Sequence, residues 1–120
     1  MKKFSFSRDE KLKKYNQIKS VFVNGKKYCG VFGNLCVVTN DVARTRLGIV
    51  VKMSKVVKGR AVQRNRAKRL VRGFFRLNKH NIVKGIDLVF EVFLSSTAYK
   101  YNDVKINAFN LCKKARIWQA

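Results

Sequence analysis

Three observations make this sequence an α+β fold, a two-layer sandwich of order αβββαβα with a small mixed four-stranded sheet and helices packed on it. Arg64-Asn65-Arg66-Ala67-Lys68-Arg69-Leu70-Val71-Arg72 repeats its apolar residues at helical spacing. Runs rich in β-branched residues stand on either side, at 46–51 and 86–93, so one strand–helix–strand unit lies in mid-chain. Two more strand-like runs precede that unit, and an amphipathic helical stretch stands at each end of the chain.

The first helix carries Tyr15, Ile18, Val21 and Phe22 on one stripe and stops at Asn24-Gly25, a C-cap signal. Its start is open between a capping box at Ser7-Arg8-Asp9-Glu10 and a later point near Lys14. Strands follow at 28–32 and 35–39, the second closed by a turn at Asn40-Asp41, and then at 46–51. Lys52 to Gly59 reads as a basic loop into the second helix. At about 100° per residue, Ala67, Leu70, Val71, Phe74 and Leu77 share one arc of that helix. Arg64, Asn65, Lys68, Arg69, Arg72 and Arg76 fill the opposite one. Gly85 precedes the strand Ile86–Phe93. Asn102 or Asp103 can cap a last helix that turns Val104, Ala108, Leu111 and Ala115 inward.

At 120 residues the chain is expected to form one domain, 1–120, and its hydrophobic fraction of 47% suits a globular core rather than a basic tail. The charge is what sets it apart. A formal +22 makes the compact state repel itself, and between Asp41 and Asp87 there are fourteen Lys and Arg and no acid. A block of one sign this long expects a polyanion to complete it. Nucleic acid is the leading partner class and an acidic membrane surface the second. No apolar run approaches the roughly 18 residues of a membrane span. The basic N-terminus lacks the apolar stretch of a secretory signal, so the expected address is cytoplasmic. Cys29, Cys36 and Cys112 show no C-x-x-C spacing and read as reduced, buried thiols. With His80 in a polar connector, they do not make a zinc site.

Whether such a chain cuts what it binds depends on its acids: Asp9, Glu10, Asp41, Asp87, Glu91 and Asp103. Two-metal cleavage needs carboxylates clustered about ions roughly 3.5–4 Å apart. Asp87 and Glu91 share a strand face, but four residues at about 3.3 Å each separate them by some 13 Å. They are expected to pair with Lys or Arg on the solvent face. One histidine cannot supply a paired-histidine mechanism, and no nucleophile stands beside a base. The chain reads as a binder. The basic residues of the second helix suit phosphates, and Asn65 a base edge or 2′-hydroxyl. Ile18, Phe22, Val37 and Val38 are either core or the lining of a groove for single-stranded bases.

Arg46-Leu47-Gly48-Ile49-Val50-Val51, followed by Gly59-Arg60-Ala61-Val62-Gln63-Arg64-Asn65-Arg66-Ala67-Lys68-Arg69-Leu70-Val71-Arg72, resembles the protein subunit of bacterial ribonuclease P. That family's signature is a helix reading A-V-x-R-N-R-x-K-R-x-x-R after a strand of the R-x-G type. Ile18 to Gly25 is also similar to its first helix. The resemblance implies a ribosomal-protein-S5-domain-2-like fold with a left-handed βαβ crossover. It implies a ribonucleoprotein in which RNA is the catalyst and no protein residue is catalytic, acting in removal of the 5′ leader of precursor tRNA. Arg60, Arg64, Asn65, Arg66, Lys68, Arg69 and Arg72 would contact the catalytic RNA. Ile18, Phe22 and Val38 would line the leader groove, with Ile18 where the family usually holds Phe. Mg²⁺ would be bound mainly by the RNA subunit and the substrate, and one protein would join one RNA. The rival is a ribosomal or other structural RNA-binding protein outside any enzymatic complex.

Overall fold

The computed structural model describes residues 11–12, 15–30, 32–40, 42, 44–53, 59–94 and 101–119, with backbone alone at 101–103. Its elements run α1 (Tyr15–Asn24), β1 (Lys26–Cys29), β2 (Gly33–Thr39), β3 (Arg46–Met53), α2 (Arg60–Asn78), β4 (Ile86–Leu94) and α3 (Tyr101–Lys114). This is the expected αβββαβα order. The strands form one sheet in the order β1-β2-β4-β3. β2 pairs antiparallel with β1 and β4, while β3 and β4 are parallel and α2 is the crossover between them.

Being central, β4 is covered on both faces, which is why its sequence is apolar nearly throughout. Alternation sends Leu88, Phe90 and Val92 to one side, where they meet Leu35 and Leu47 of the neighbouring strands. Against them lie Ala67, Leu70, Val71, Phe74 and Phe75 of α2 and Val104, Ala108, Leu111 and Cys112 of α3. Phe74 meets Phe90 edge to face, with ring centroids 6.4 Å apart. The opposite side holds a smaller core of Leu12, Val21, Cys36 and Val89, roofed by α1. Gly48 lets that roof come close. A methyl group there would stand 3.2 Å from both Ile18 Cγ1 and Leu12 Cβ, so a larger residue would lift α1 off the sheet.

Several boundaries differ from expectation. β1 spans 26–29 rather than 28–32, because the Gly30 amide donates to the Gly33 carbonyl at 2.9 Å and turns the chain back. β3 runs on through Lys52 and Met53 into the expected loop, since β4 offers Phe93 and Leu94 as partners. α3 begins at Tyr101, ahead of both proposed caps. On α2, Phe75 is fully buried and Leu77 is 45% exposed. The helix is wedged between β3 and α3, and the larger aromatic takes the inner place. Tyr15, placed on the inward stripe of α1, is 75% exposed because it opens the helix beyond the sheet. The candidate capping box at 7–10 and Asp41 of the turn lie outside the described residues.

Candidate nucleic-acid interface

α2 begins with a weak N-terminus. Gly59, at φ 63°, stands before it with no side-chain cap, and its first turn holds no acid. The positive end of the helix dipole therefore has no acid of its own first turn to offset it, and Arg60 stands at its tip. Asn65, Lys68, Arg69 and Arg72 lie within about 100° of arc on the side away from the core. All are exposed except half-buried Lys68. Arg64 is exposed for another reason. It sits three residues before Ala67 and seven before Val71, on the inward stripe, but the first turns of α2 reach past the packed core. Arg66 stands exposed on the opposite flank. Among the described residues, Arg64, Arg66, Lys68, Arg69 and Arg72 make no ion pair with an acid.

The two acids whose side chains are described, Asp87 and Glu91, are engaged elsewhere, on the α1 side of the sheet. Asp87 takes a two-pronged grip from Arg46, Nε to Oδ1 and Nη2 to Oδ2, both at 2.8 Å. Asn40 Nδ2 adds a third bond to Oδ1 at 2.8 Å. Glu91 is bound by Lys52 Nζ at 2.9 Å, Asn34 Nδ2 at 2.9 Å and Lys27 Nζ at 3.7 Å. Burial works to raise the Glu91 carboxyl, but the hydrogen bonds from Lys52 and Asn34 and the charges of both lysines outweigh it and hold it below its ordinary 4.5. The expected pairing with cations holds for both acids; the expected solvent face does not. Asp87 and Glu91 are 8% and 4% exposed, because the central strand has no open face at either position.

α1 and the sheet bring the three proposed groove residues together. Ile18, Phe22 and Val38 are half-buried around the small core, with Val50 as a fourth member that the sequence did not single out. Val37 points the other way, into the larger core. The cation-bearing helix and the apolar cluster under α1 thus occupy opposite sides of the sheet. Of the thiols, Cys36 and Cys112 are buried as expected, while Cys29 at the end of edge strand β1 is exposed. Burial pushes Cys36 up and Cys112 to about 12. Among the described residues no group of three His, Cys, Asp or Glu could hold a metal ion. With both buried acids already neutralised, this side-chain set does not fit a protein-held divalent cation.

A sequence model of the family described as Ribonuclease P matches residues 6–116. The chain belongs to the ribonuclease P protein family. It is 38% identical over 112 residues to the ribonuclease P protein component of Clostridium botulinum strain Langeland, covering 92% of this chain and 98% of that one. The corresponding figure for Clostridioides difficile strain 630 is 34% over 113 residues, covering 93% and 96%. Among solved structures, the ribonuclease P protein of Thermotoga maritima matches with TM-score 0.70 at 30% identity, over 88% of this chain and 96% of that one. That of Staphylococcus aureus has the same fold, with TM-score 0.78 at 22% identity, over 92% and 98%. Ribonuclease P is an endoribonuclease in which this protein is the accessory subunit, which displaces the reading of a structural RNA-binding protein outside any enzyme. A nuclease complex of this kind is consistent with a divalent metal. Among the described residues, no helix is long and apolar enough to cross a membrane.

Proposed function

We propose that the protein acts as one RNA-binding domain with two working surfaces, one on each side of the sheet. Arg60, Arg64, Asn65, Arg66, Lys68, Arg69 and Arg72 of α2 take the catalytic RNA, the cations at phosphates and Asn65 at a base edge or 2′-hydroxyl. Ile18, Phe22 and Val38, joined by Val50, take the 5′ leader of precursor tRNA by apolar contact with its bases. The observation that carries this is the separation itself: a row of cations on α2, of which Arg64, Arg66, Lys68, Arg69 and Arg72 make no ion pair with an acid among the described residues, lies across the sheet from a half-buried apolar cluster under α1.

The protein supplies binding and orientation, and the scissile bond is broken at the RNA. Magnesium is the divalent ion assigned, held by the RNA subunit and the substrate. One protein serves one RNA, in the cytoplasm. Cleavage of precursor tRNA should need the cognate RNA, and the protein alone should leave the substrate intact. The groove has a sharper test. Ile18→Ser or Val38→Thr, still folded by circular dichroism, should bind the catalytic RNA normally. Either should weaken holoenzyme affinity for precursor tRNA and leave mature tRNA unaffected, since both ligands share the tRNA body. Equal weakening toward both returns these residues to a purely structural role.

A further inference from the structure

Beyond the α1 groove, the same side of the sheet carries a polar row with one residue from every strand. Asn34 of β2 and Glu91 of β4 stand opposite each other, and Lys27 of β1 and Lys52 of β3 reach Glu91 diagonally, from two positions to either side along the strands. Glu91 is 4% exposed, while the side chains of Lys27 and Lys52 are 51% and 61% exposed. The buried acid thus fixes two ammonium groups whose free donors face solvent. Removing a carboxylate from water costs several kcal/mol unless partners hold it, and a lone surface lysine needs no such anchor. Two lysines against one glutamate leave a net charge of +1, the complement of one phosphodiester. Next to Lys52 in the register stands Phe93, 37% exposed on an otherwise buried strand and on the same face.

We propose that Lys27, Lys52 and Phe93 form a one-nucleotide subsite for single-stranded RNA, the lysines taking a backbone phosphate and the Phe93 ring the base, with Glu91 as the positioning residue. It rests on the groove reading and extends it. A leader long enough to leave the groove past Val50 and Val89 runs over this row. The groove has one ring, Phe22, beside the aliphatic Ile18, Val38 and Val50, and the subsite supplies a second aromatic surface beyond it.

The test uses holoenzyme reconstituted with the catalytic RNA and precursor tRNAs whose leaders are shortened one nucleotide at a time. Base–aromatic stacking is worth about 1–3 kcal/mol per base. Phe93→Leu should therefore weaken affinity for long leaders by about fivefold or more, and for leaders ending inside the groove not at all. Lys52→Gln should show the same length dependence and reduce the log–log salt slope by about 0.7, as expected for one single-strand phosphate. Lys113→Gln on α3 removes one charge without either effect. Glu91→Asp keeps the charge but withdraws it by one methylene. It should reproduce the length-dependent loss while affinity for the catalytic RNA and mature tRNA stays unchanged. Losses that are absent, or equal at every leader length, overturn the subsite. If Val38→Thr still separates leader from mature tRNA in that case, the groove stands without it. If Val38→Thr fails as well, the groove falls and the subsite with it.

Discussion

Gly73 lies in the middle of α2, and a methyl group there would meet nothing within 4 Å. Glycine in a helix interior costs about 0.5–1 kcal/mol relative to alanine. Gly73→Ala should therefore stabilise the protein by about that amount, read from a denaturant midpoint at constant m-value. Glu91 gives a pH dependence of defined sign. Its folded-state pKa is depressed below the ordinary 4.5, so its contribution is fully present above that value and is lost as pH falls through the lower, folded one. The stability of Glu91→Gln should accordingly decline less steeply than wild type below about pH 4.5. The three thiols should divide by exposure. A maleimide should label Cys29 in the native protein, and Cys36 and Cys112 only after denaturation, as mass spectrometry of the adducts would report. In the residues alone, the cationic partners of Glu91 were legible but not its burial, and neither were the exposure of Cys29 or the open space at Gly73. Gly73, Glu91 and Cys29 are set by what other strands and helices bring near them, and Asn34 lies fifty-seven positions from the glutamate it binds.

At the scale of elements, α2 was readable because its periodicity, its cations and the surrounding absence of acids agree. Ala67, Leu70, Val71 and Phe74 face inward as their spacing requires. Leu77 does not, since spacing fixes an arc but not how far the supporting surface reaches or which of two flanking residues is the better fit. Strand existence was legible and strand ends were not. Lys52 and Met53 look like loop until β4 is known to lie beside them. For the proposed interface, the residues alone suggested the α2 cations and three groove candidates, but not Val50 or the neighbours of Glu91, which need strand order to be seen. One expectation belongs here. Replacing Arg64, Lys68 and Arg72 together with Ala should flatten the salt dependence of binding to the catalytic RNA, by a slope change of roughly 0.7–0.9 for each phosphate no longer neutralised. Circular dichroism should remain native, because none of the three belongs to the packed core. An unchanged slope would move the RNA surface off α2.

For the whole molecule, +22 on 120 residues dominates. The few acids include two that are consumed inside the fold by Arg46 and by Lys27 and Lys52, and among the described residues Arg64, Arg66, Lys68, Arg69 and Arg72 of α2 have no acid paired with them. Anions that occupy cationic sites present only in the folded state should raise the melting temperature. Millimolar sulfate should do so more than chloride of matched ionic strength, by differential scanning fluorimetry. A midpoint indifferent to that exchange would refute the self-repulsion argument.

The strand order has a consequence for how the chain is made. β4 is an inner strand of the sheet yet the last of its four strands to be synthesised, so β2 and β3 have no common partner until residue 94 has left the ribosome. Before then the β1–β2 hairpin can form, but the inner face of α2 from Ala67 to Phe75 lacks the β4 and α3 side chains that complete its core. A nascent chain cut short before Ile86 would carry the cations of α2 on a helix whose packing is incomplete. It would be a charged, sticky peptide rather than a partial subunit. Assembly with the catalytic RNA therefore waits on the arrival of one late strand, and ribosome-stalled chains should acquire protease resistance abruptly once β4 emerges, not in proportion to length.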